Sequence, residues 1–225
     1  ILAGAFVIHA GYKLLQAMAY DRGAYTVVYP VVRGTGPFFA VIGADIVFGE
    51  TYGVGQWAGL GVLMAGIFGL AAYNLRHVVV ERETLVPALG LAVVTGAFVA
   101  LYTTYDAYGI RATADPFTFL AWFFMIDGVL FPVLMARRLG RLRAAEAAPL
   151  LRRGVAGAMV AYASFGSILI ATRLDKVGEA AVLRETSTVF AALIGWMFLG
   201  EKVGAARAGL MGLIAAGAVV MEWAG

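Results

Sequence analysis

Two arginines and a glutamate stand inside long apolar stretches of this chain. Arg184 and Glu185 lie near the start of VLRETSTVFAALIGWMFLGE (182–201), and Arg33 lies in VVRGTGPFFAVIGADIVFGE (31–50). An ionisable side chain at membrane depth costs about 2.5–3.5 kcal/mol on insertion scales, so each is a candidate functional residue. A guanidinium offers donors in a planar fork that matches a carboxylate or phosphate. The arginines therefore predict a site for an anionic group; the alternative is that each one satisfies helix-end carbonyls or reaches the membrane interface.

Further polar residues accompany these three in the sequence. Ser187 lies about one turn beyond Arg184, and Tyr29 lies one turn before Arg33. Ser187 either extends a polar stripe toward the substrate or packs between helices, as serine often does in membranes. Glu185 is expected to hold a substrate ammonium, to take a coupling proton or to pair with another helix.

The first apolar stretch of the chain carries one polar face. Spacings of three and four residues place its polar side chains on the same side of a helix. These are His9, Tyr12, Lys13, Gln16 and Tyr20. Such a face is more typical of a surface that lines a path than of one that meets lipid. His9 is a candidate for proton coupling because an imidazole changes charge near neutral pH. Asp127, in the middle of a later apolar stretch, is a second candidate, with a structural role as its alternative.

Other polar residues near the ends of apolar stretches are interpreted as structural. Glu50 and Glu201 each follow a glycine at such an end and are expected to cap a helix or to pair across a loop. Tyr102, Tyr105 and Asp106 end another stretch, where tyrosines commonly form an aromatic belt at the membrane interface. None of these five residues is predicted to bind substrate.

Composition indicates that membrane helices must position these groups. Of 225 residues, 62% are hydrophobic and 14% are charged, and the mean hydropathy is +0.86. One soluble core of this size cannot bury that excess, so lipid is the expected solvent. The net charge of +3 does not indicate nucleic-acid binding, since the arginines lie mainly between apolar stretches. There is no cysteine, and His9 and His77 lack metal-ligand spacing, so no metal or cofactor is predicted.

Eight apolar segments, each of about 20 residues, predict eight membrane-spanning helices. They lack the alternation of β-barrel strands, so the predicted fold class is an all-α polytopic membrane protein. The segments are approximately 1–20, 24–48, 56–75, 84–105, 116–136, 151–172, 178–199 and 204–224.

The segments contain an internal repeat. When the two Gly-Glu pairs are aligned, Arg33 meets Arg184 and Gly34 meets Glu185. Upstream, AGAFV matches AGAMV after a two-residue gap, and downstream AGLGVLMAG resembles AGLMGLIAAG. The first three segments therefore recur as the last three.

The fourth and fifth segments precede the second copy and have no counterpart before the first. The first copy is therefore expected to lack roughly 70 residues, enough for two spanning helices. This predicts a natural protein of roughly 295 residues, with ten helices in two sets of five. Because each set has an odd number of helices, the second set enters the membrane in the opposite sense. Such an inverted repeat is typical of secondary transporters.

A helix that ends in Gly-Glu, followed by a glycine-rich helix, occurs twice. The first occurrence is GPFFAVIGADIVFGE with QWAGLGVLMAGI, and the second is STVFAALIGWMFLGE with AGLMGLIAAGAV. This pattern resembles the drug/metabolite transporter superfamily, EamA type. Pro37 stands where this family often has proline, whereas the second copy has Thr188 at that position.

The resemblance implies ten helices in two inverted bundles, a central cavity and alternating access. Residues 1–78 are then an incomplete first repeat, and residues 79–225 are the second. Members of the family move amino acids, other metabolites, drugs or nucleotide sugars, often as exporters or exchangers. The expected protein is thus not an enzyme. It is a secondary transporter of small polar metabolites, with amino acids, related zwitterions or organic anions as the first expectation.

Two other functions stay open as alternatives. A channel would need a continuous polar stripe through several helices, and the polar residues here extend over only one or two turns. An intramembrane enzyme would need catalytic groups at one depth, and Asp45 and Asp127 have no flanking motif. The expected partners are a small-molecule substrate and the lipid bilayer of a bacterial inner membrane, with a monomeric chain and no nucleic acid.

The sequence supports two opposite orientations. Most loop arginines fall on one side, and the positive-inside rule then puts the C-terminus outside. The family resemblance implies that both termini are inside. Orientation is therefore not predicted.

Overall fold

The computed structural model describes residues 1–23, 25–77, 82–199 and 204–225, and every element in these ranges is an α-helix. The helices are α1 (Leu2–Arg22), α2 (Tyr25–Phe48), α3 (Val54–His77), α4 (Arg82–Ala112), α5 (Pro116–Asp127), α6 (Leu130–Leu134), α7 (Ala136–Leu139), α8 (Ala144–Leu174), α9 (Val177–Arg184), α10 (Ser187–Leu199) and α11 (Ala205–Trp223). The predicted all-α class is confirmed for this part of the chain.

Within the described ranges, six stretches are long and apolar enough to cross a membrane. They are Val28–Phe48, Val54–Arg76, Leu85–Ala112, Pro116–Leu134, Ala145–Leu174 and Ala205–Trp223. The predicted spans 1–20 and 178–199 are helical but are not among them. The polar face of α1 lowers its apolar content, and the second span is divided into α9 and α10. The chain is a polytopic membrane protein, and eight spans remain a prediction.

The predicted segment 116–136 is not one continuous helix. α5 ends at Asp127, and the short helices α6 and α7 follow it. Pro132 lies in α6. Because proline has no N–H and its ring collides with the carbonyl four residues earlier, at Gly128, it disfavours a continuous helix through this point.

α4 and α8 are each 31 residues long and extend beyond the predicted segments 84–105 and 151–172. α4 continues because its later residues still pack inside the protein. Ala107 is fully buried beside Ala44 of α2, and Ile110 is fully buried against α1. Packing between helices therefore extends the helix beyond the apolar segment that the sequence marks.

α2 packs against α3, α4 and α9. One buried cluster joins it to α4 through side chains such as Val32 and Ala92. A second cluster joins it to α3, α9 and α11, with Val41 of α2 and Val182 of α9 among its members. These two contacts place Arg33 of α2 beside the junction of α9 and α10.

α3 and α11, whose sequences match in the repeat, pack directly against each other. A Cβ on Gly59 would stand 2.6 Å from the amide nitrogen of Met221. A Cβ on Gly217 would collide with the amide nitrogen of Leu63. Glycine thus allows the two backbones to approach closely, as is common between membrane helices.

The loop after α2 holds the start of α9. Both carboxylate oxygens of Glu50 accept from the N–H of Val177, at 2.8 and 3.1 Å. Tyr52 donates its hydroxyl to Glu50 at 2.6 Å, and Arg111 donates at 3.0 Å. Burial, and then the hydrogen bond to Glu50, raise the pKa of Tyr52. Glu50 therefore caps a helix and pairs across a loop, as predicted; Glu201 lies outside the described residues.

Candidate functional site

The junction between α9 and α10 is a tightened turn. The N–H of Glu185 donates to the carbonyl of Val182 at 3.0 Å, and that of Thr186 donates to Leu183 at 3.0 Å. These bonds span three residues rather than the four of an α-helix. The Thr186 hydroxyl also donates to the Leu183 carbonyl at 2.7 Å. The prediction of one helix over 178–199 is therefore wrong at this point.

Glu185 lies at the junction, fully buried, between two arginines. Its Oε2 is 2.8 Å from Nε of Arg33, and its Oε1 is 3.6 Å from Nε of Arg184. Arg33 also donates to the Ser187 hydroxyl at 2.6 Å and to the Arg184 carbonyl at 3.4 Å. Arg33, Arg184 and Glu185 thus form one group, which we call the arginine cluster.

The arginine cluster has an excess of one positive charge when its members are ionised. The contacts of Glu185 with the two arginines are close in distance, but none has the geometry of a hydrogen bond. Arg184 reaches Tyr102 and Thr103 only at 3.5 and 3.4 Å. The protein therefore compensates the charges incompletely, and a ligand carboxylate would supply both the missing charge and better acceptors.

A cavity of about 420 Å³ lies beside the cluster, within the usual volume range of small-molecule sites. Its lining is Arg33, Tyr102, Ser164, Phe165, Ile168, Leu183, Arg184, Thr186, Ser187 and Phe190. Aromatic and aliphatic side chains form half of this wall, and the two guanidinium groups supply its charge. Such a lining suits a small organic molecule that has one anionic end.

A second cavity of about 60 Å³ adjoins the same cluster. It is lined by Tyr12, Gln16, Tyr29, Val32, Arg33, Val99, Tyr102, Arg184 and Glu185. Arg33, Tyr102 and Arg184 line both cavities, so the cluster separates one space from the other. Tyr12 and Gln16 of α1 and Tyr29 of α2 reach the site through this second cavity.

Residues 86–223, more than half of the chain, match the family model described as the EamA-like transporter family. The chain belongs to this family. A curated relative, Uncharacterized protein y4nH of Sinorhizobium fredii (strain NBRC 101917 / NGR234), is 32% identical to this EamA-like protein over 68 residues. The aligned part is 30% of this chain and 58% of the relative, so the chain spans less than two thirds of the relative's length.

Membership of the EamA-like family agrees with the resemblance that the sequence motifs indicated. It makes the chain an integral membrane protein of a transporter family. The cluster, with its two cavities, is the candidate functional site of this EamA-like protein.

Seven of the predicted site residues meet around this cluster. They are Tyr12, Gln16, Tyr29, Arg33, Arg184, Glu185 and Ser187. Lys13 lines neither cavity, because it pairs with Asp127 of α5 at 2.6 Å. The two side chains are about one fifth exposed. Lys13 pairs with the carboxylate of α5 rather than with the arginine cluster, and its role in substrate binding stays a prediction.

Sequence reasoning missed two residues of α4. Their place at the end of an apolar stretch predicts an interfacial belt for Tyr102 and Asp106, but both are buried. Tyr102 lines both cavities, and Asp106 pairs with His9 at 2.7 Å. Their spacing of four residues puts them on one helix face. That spacing, together with a carboxylate at the end of an apolar stretch, was the available signal.

Proposed function

We propose that this chain is a secondary transporter for small polar metabolites. The substrates are carboxylate-bearing compounds, namely amino acids, related zwitterions or organic anions. Export or exchange is the expected mode, in keeping with the family resemblance. The relative from a bacterium supports a location in a bacterial inner membrane.

The observation that carries this proposal is the excess charge of the arginine cluster beside the larger cavity. Among the described residues, Arg33 and Arg184 have only the one carboxylate of Glu185 between them. A substrate carboxylate would bring the local charge to zero and accept from the guanidinium forks. The aromatic wall, including Tyr102 and Phe190, would cover the less polar part of the molecule.

The mechanism that we propose is alternating access between two halves, residues 1–78 and 79–225. Broken helices at a substrate site are a recurring feature of such transporters. The junction of α9 and α10 is a break of this kind, and the guanidinium of Arg33 reaches across to it from α2. Movement of one half against the other would change which cavity is open while the arginines stay with the substrate.

Counterflow in proteoliposomes tests this function. Vesicles containing the purified chain are preloaded with unlabelled alanine, glutamate or succinate, and entry of the labelled compound is followed. We expect saturable counterflow for at least one of the three compounds. Succinamide, which has the shape of succinate without its carboxylates, should not compete with it.

Arg33→Gln should reduce this counterflow on the order of 100-fold, because it removes one partner of a buried charged group. The matched control is Arg153→Gln, which changes an exposed arginine of α8 and should leave counterflow unchanged. Counterflow of none of the three compounds, or an ohmic current without saturation, would refute the carrier. Equal counterflow in Arg33→Gln would refute the role of the cluster.

A further inference from the structure

A second ionisable pair lies beside the arginine cluster. Nε2 of His9 is 2.7 Å from Oδ2 of Asp106, and the two residues are 5% and 0% exposed. The other carboxylate oxygen, Oδ1, is buried and has no hydrogen-bond partner in the part of the chain that the structure describes. Such a group is costly to bury, so its presence calls for a physical explanation.

Aromatic rings surround this pair. The ring centroid of His9 lies 4.5 Å from that of Tyr102, 5.1 Å from Phe123 and 6.0 Å from Phe165. These rings keep water from most of the imidazole surface. A proton on the pair is therefore held in a weakly polar space, where one unit of charge has a large effect on its surroundings.

The charge of this pair can change by one unit. With a neutral imidazole and an ionised carboxylate, the pair has a charge of minus one, and one added proton makes it neutral. The neighbouring pair of Lys13 and Asp127, 2.6 Å apart, already contains one charge of each sign. When its imidazole is neutral, the pair of His9 and Asp106 can therefore take up one proton without becoming net positive.

The ionisable groups that face His9 come from several helices. α1 itself carries Tyr12 and Lys13, and α4 carries Tyr102 and Asp106. On α4, Tyr105 packs against Gly4, further toward the start of α1.

From α5 the charged neighbour is Asp127, and α8 contributes the apolar ring of Phe165. The nearest cation on the other side of Tyr102 is Arg184 of α9.

Tyr102 connects this pair to the arginine cluster. One face of its ring meets His9, and its hydroxyl is 3.5 Å from a guanidinium nitrogen of Arg184. A negative charge on the pair attracts Arg184 and competes with an anionic ligand for it. Protonation removes that competition, so proton and anion should each favour the binding of the other.

We propose that His9 and Asp106 form a proton-binding site that couples a proton to the anionic substrate, so that both cross the membrane in the same direction. In export, the outward substrate gradient would carry the proton with the substrate. This inference rests on the proposed function for its substrate. The effect of Arg184 on proton binding by the pair can be measured without any substrate.

The first experiment titrates His9 by NMR. His77, the other histidine of the chain, is replaced by glutamine, and the full-length protein labelled with ¹⁵N-histidine is titrated in detergent. Proton binding by the pair should appear as one reversible change of the His9 signals with pH. Arg184→Gln should move its midpoint to higher pH because a repelling positive charge is lost, whereas Arg153→Gln should not move it.

Asp106→Asn should move the same midpoint to lower pH, because the imidazolium loses its counter-charge. If this variant does not fold, the comparison of Arg184→Gln with Arg153→Gln still decides the question. A His9 that does not titrate, or a midpoint that Arg184→Gln leaves in place, would overturn the proposal.

The second experiment separates coupling from transport. In proteoliposomes that show counterflow of alanine, glutamate or succinate, a pH gradient should drive accumulation of the same compound. In Asp106→Asn, this accumulation should fall at least tenfold relative to the counterflow that the same variant retains. Wild-type counterflow that ignores the pH gradient, or an Asp106→Asn protein that still accumulates substrate, would refute coupling while leaving the proposed function intact.

Discussion

The two arginines of the cluster stand on segments of similar sequence but different structure. α2 is one continuous helix, although Pro30 and Pro37 lie inside it. The matching stretch is divided into α9 and α10 without a proline at the division. Proline is a common cause of an interrupted helix, so a different effect must act here.

In both segments, the carbonyl of the arginine nevertheless lacks the usual backbone hydrogen bond from the residue four positions later. Pro37 has no N–H and cannot donate to the carbonyl of Arg33 four residues earlier. Thr188, at the matching position, donates to Glu185 at 3.0 Å instead of to Arg184. The Arg184 carbonyl accepts from the Arg33 side chain at 3.4 Å. Proline in α2 and threonine in the second segment thus leave out the same backbone hydrogen bond next to each arginine.

The main difference lies at the next residue, which is Gly34 in α2 and Glu185 in the second segment. A Cβ on Gly34 would stand 3.1 Å from Cγ2 of Ile67 and 3.3 Å from Cζ of Phe68, so α3 leaves no room for a carboxylate. Glu185 turns inward toward two cations, which makes its burial possible. Packing by neighbouring helices therefore decides which segment can carry the acid.

The largest effect is expected from Arg184→Ala, which removes one side of the cluster. Counterflow should fall on the order of 100-fold or more, because Glu185 then keeps only Arg33 as its buried counter-charge. Arg184→Lys keeps the charge but loses the planar fork, and it should recover part of the activity. Gel filtration must show folded protein for both variants. Normal flux in Arg184→Ala would show that the two arginine segments are not functionally equivalent.

Glu185→Gln makes the two segments more alike by removing the charge that only one of them carries. The charge of the cluster rises by one, so the preference for the dianion succinate over alanine should increase about tenfold, or 1.4 kcal/mol. Competitive counterflow measures this ratio. Glu222→Gln, at an exposed position of α11, is the matched control. An unchanged ratio would mean that Glu185 does not set substrate preference.

Thr186→Val tests the tightened turn itself. The substitution keeps the shape but removes the hydroxyl that donates to the Leu183 carbonyl at 2.7 Å. We expect a loss of about 1 kcal/mol and a fall of about 2–4 °C in melting temperature. Thr95→Val removes a similar bond to the Leu91 carbonyl inside the continuous helix α4. It should cost less, because the regular four-residue hydrogen bonds of α4 hold that turn without the hydroxyl; an equal cost would argue against a special junction.

The smallest effect is expected from Gly34→Ala in α2. The new Cβ meets only the ends of the Ile67 and Phe68 side chains, which can shift by a few tenths of an ångström. The gain in helix propensity, about 1 kcal/mol, should roughly offset this crowding. Gly59→Ala is the contrasting variant, since its Cβ meets the backbone of α11. Thermal unfolding should separate the two, and a severe loss in Gly34→Ala would contradict the packing argument.

Much of the arginine cluster was predictable because the repeat aligned Arg33 with Arg184. The partner of Lys13 was not predictable. Periodicity places a side chain on one face of a helix but does not show which other helix packs against that face. The same limit applies to Asp106. Its position near a helix end suggested an interfacial residue, but α4 continues inward against α1, and His9 provides its partner.

The amino-acid sequence by itself determined the solvent, the helical class, the family and the two segments that carry the arginines. Composition, apolar run length and repeated motifs are local properties that can be recognised without any knowledge of packing. Only the tertiary structure decided where the second segment breaks, that Glu185 joins Arg33, and that His9 meets Asp106. Partners of buried charges depend on which helices approach each other, and that choice belongs to the packing of the whole chain.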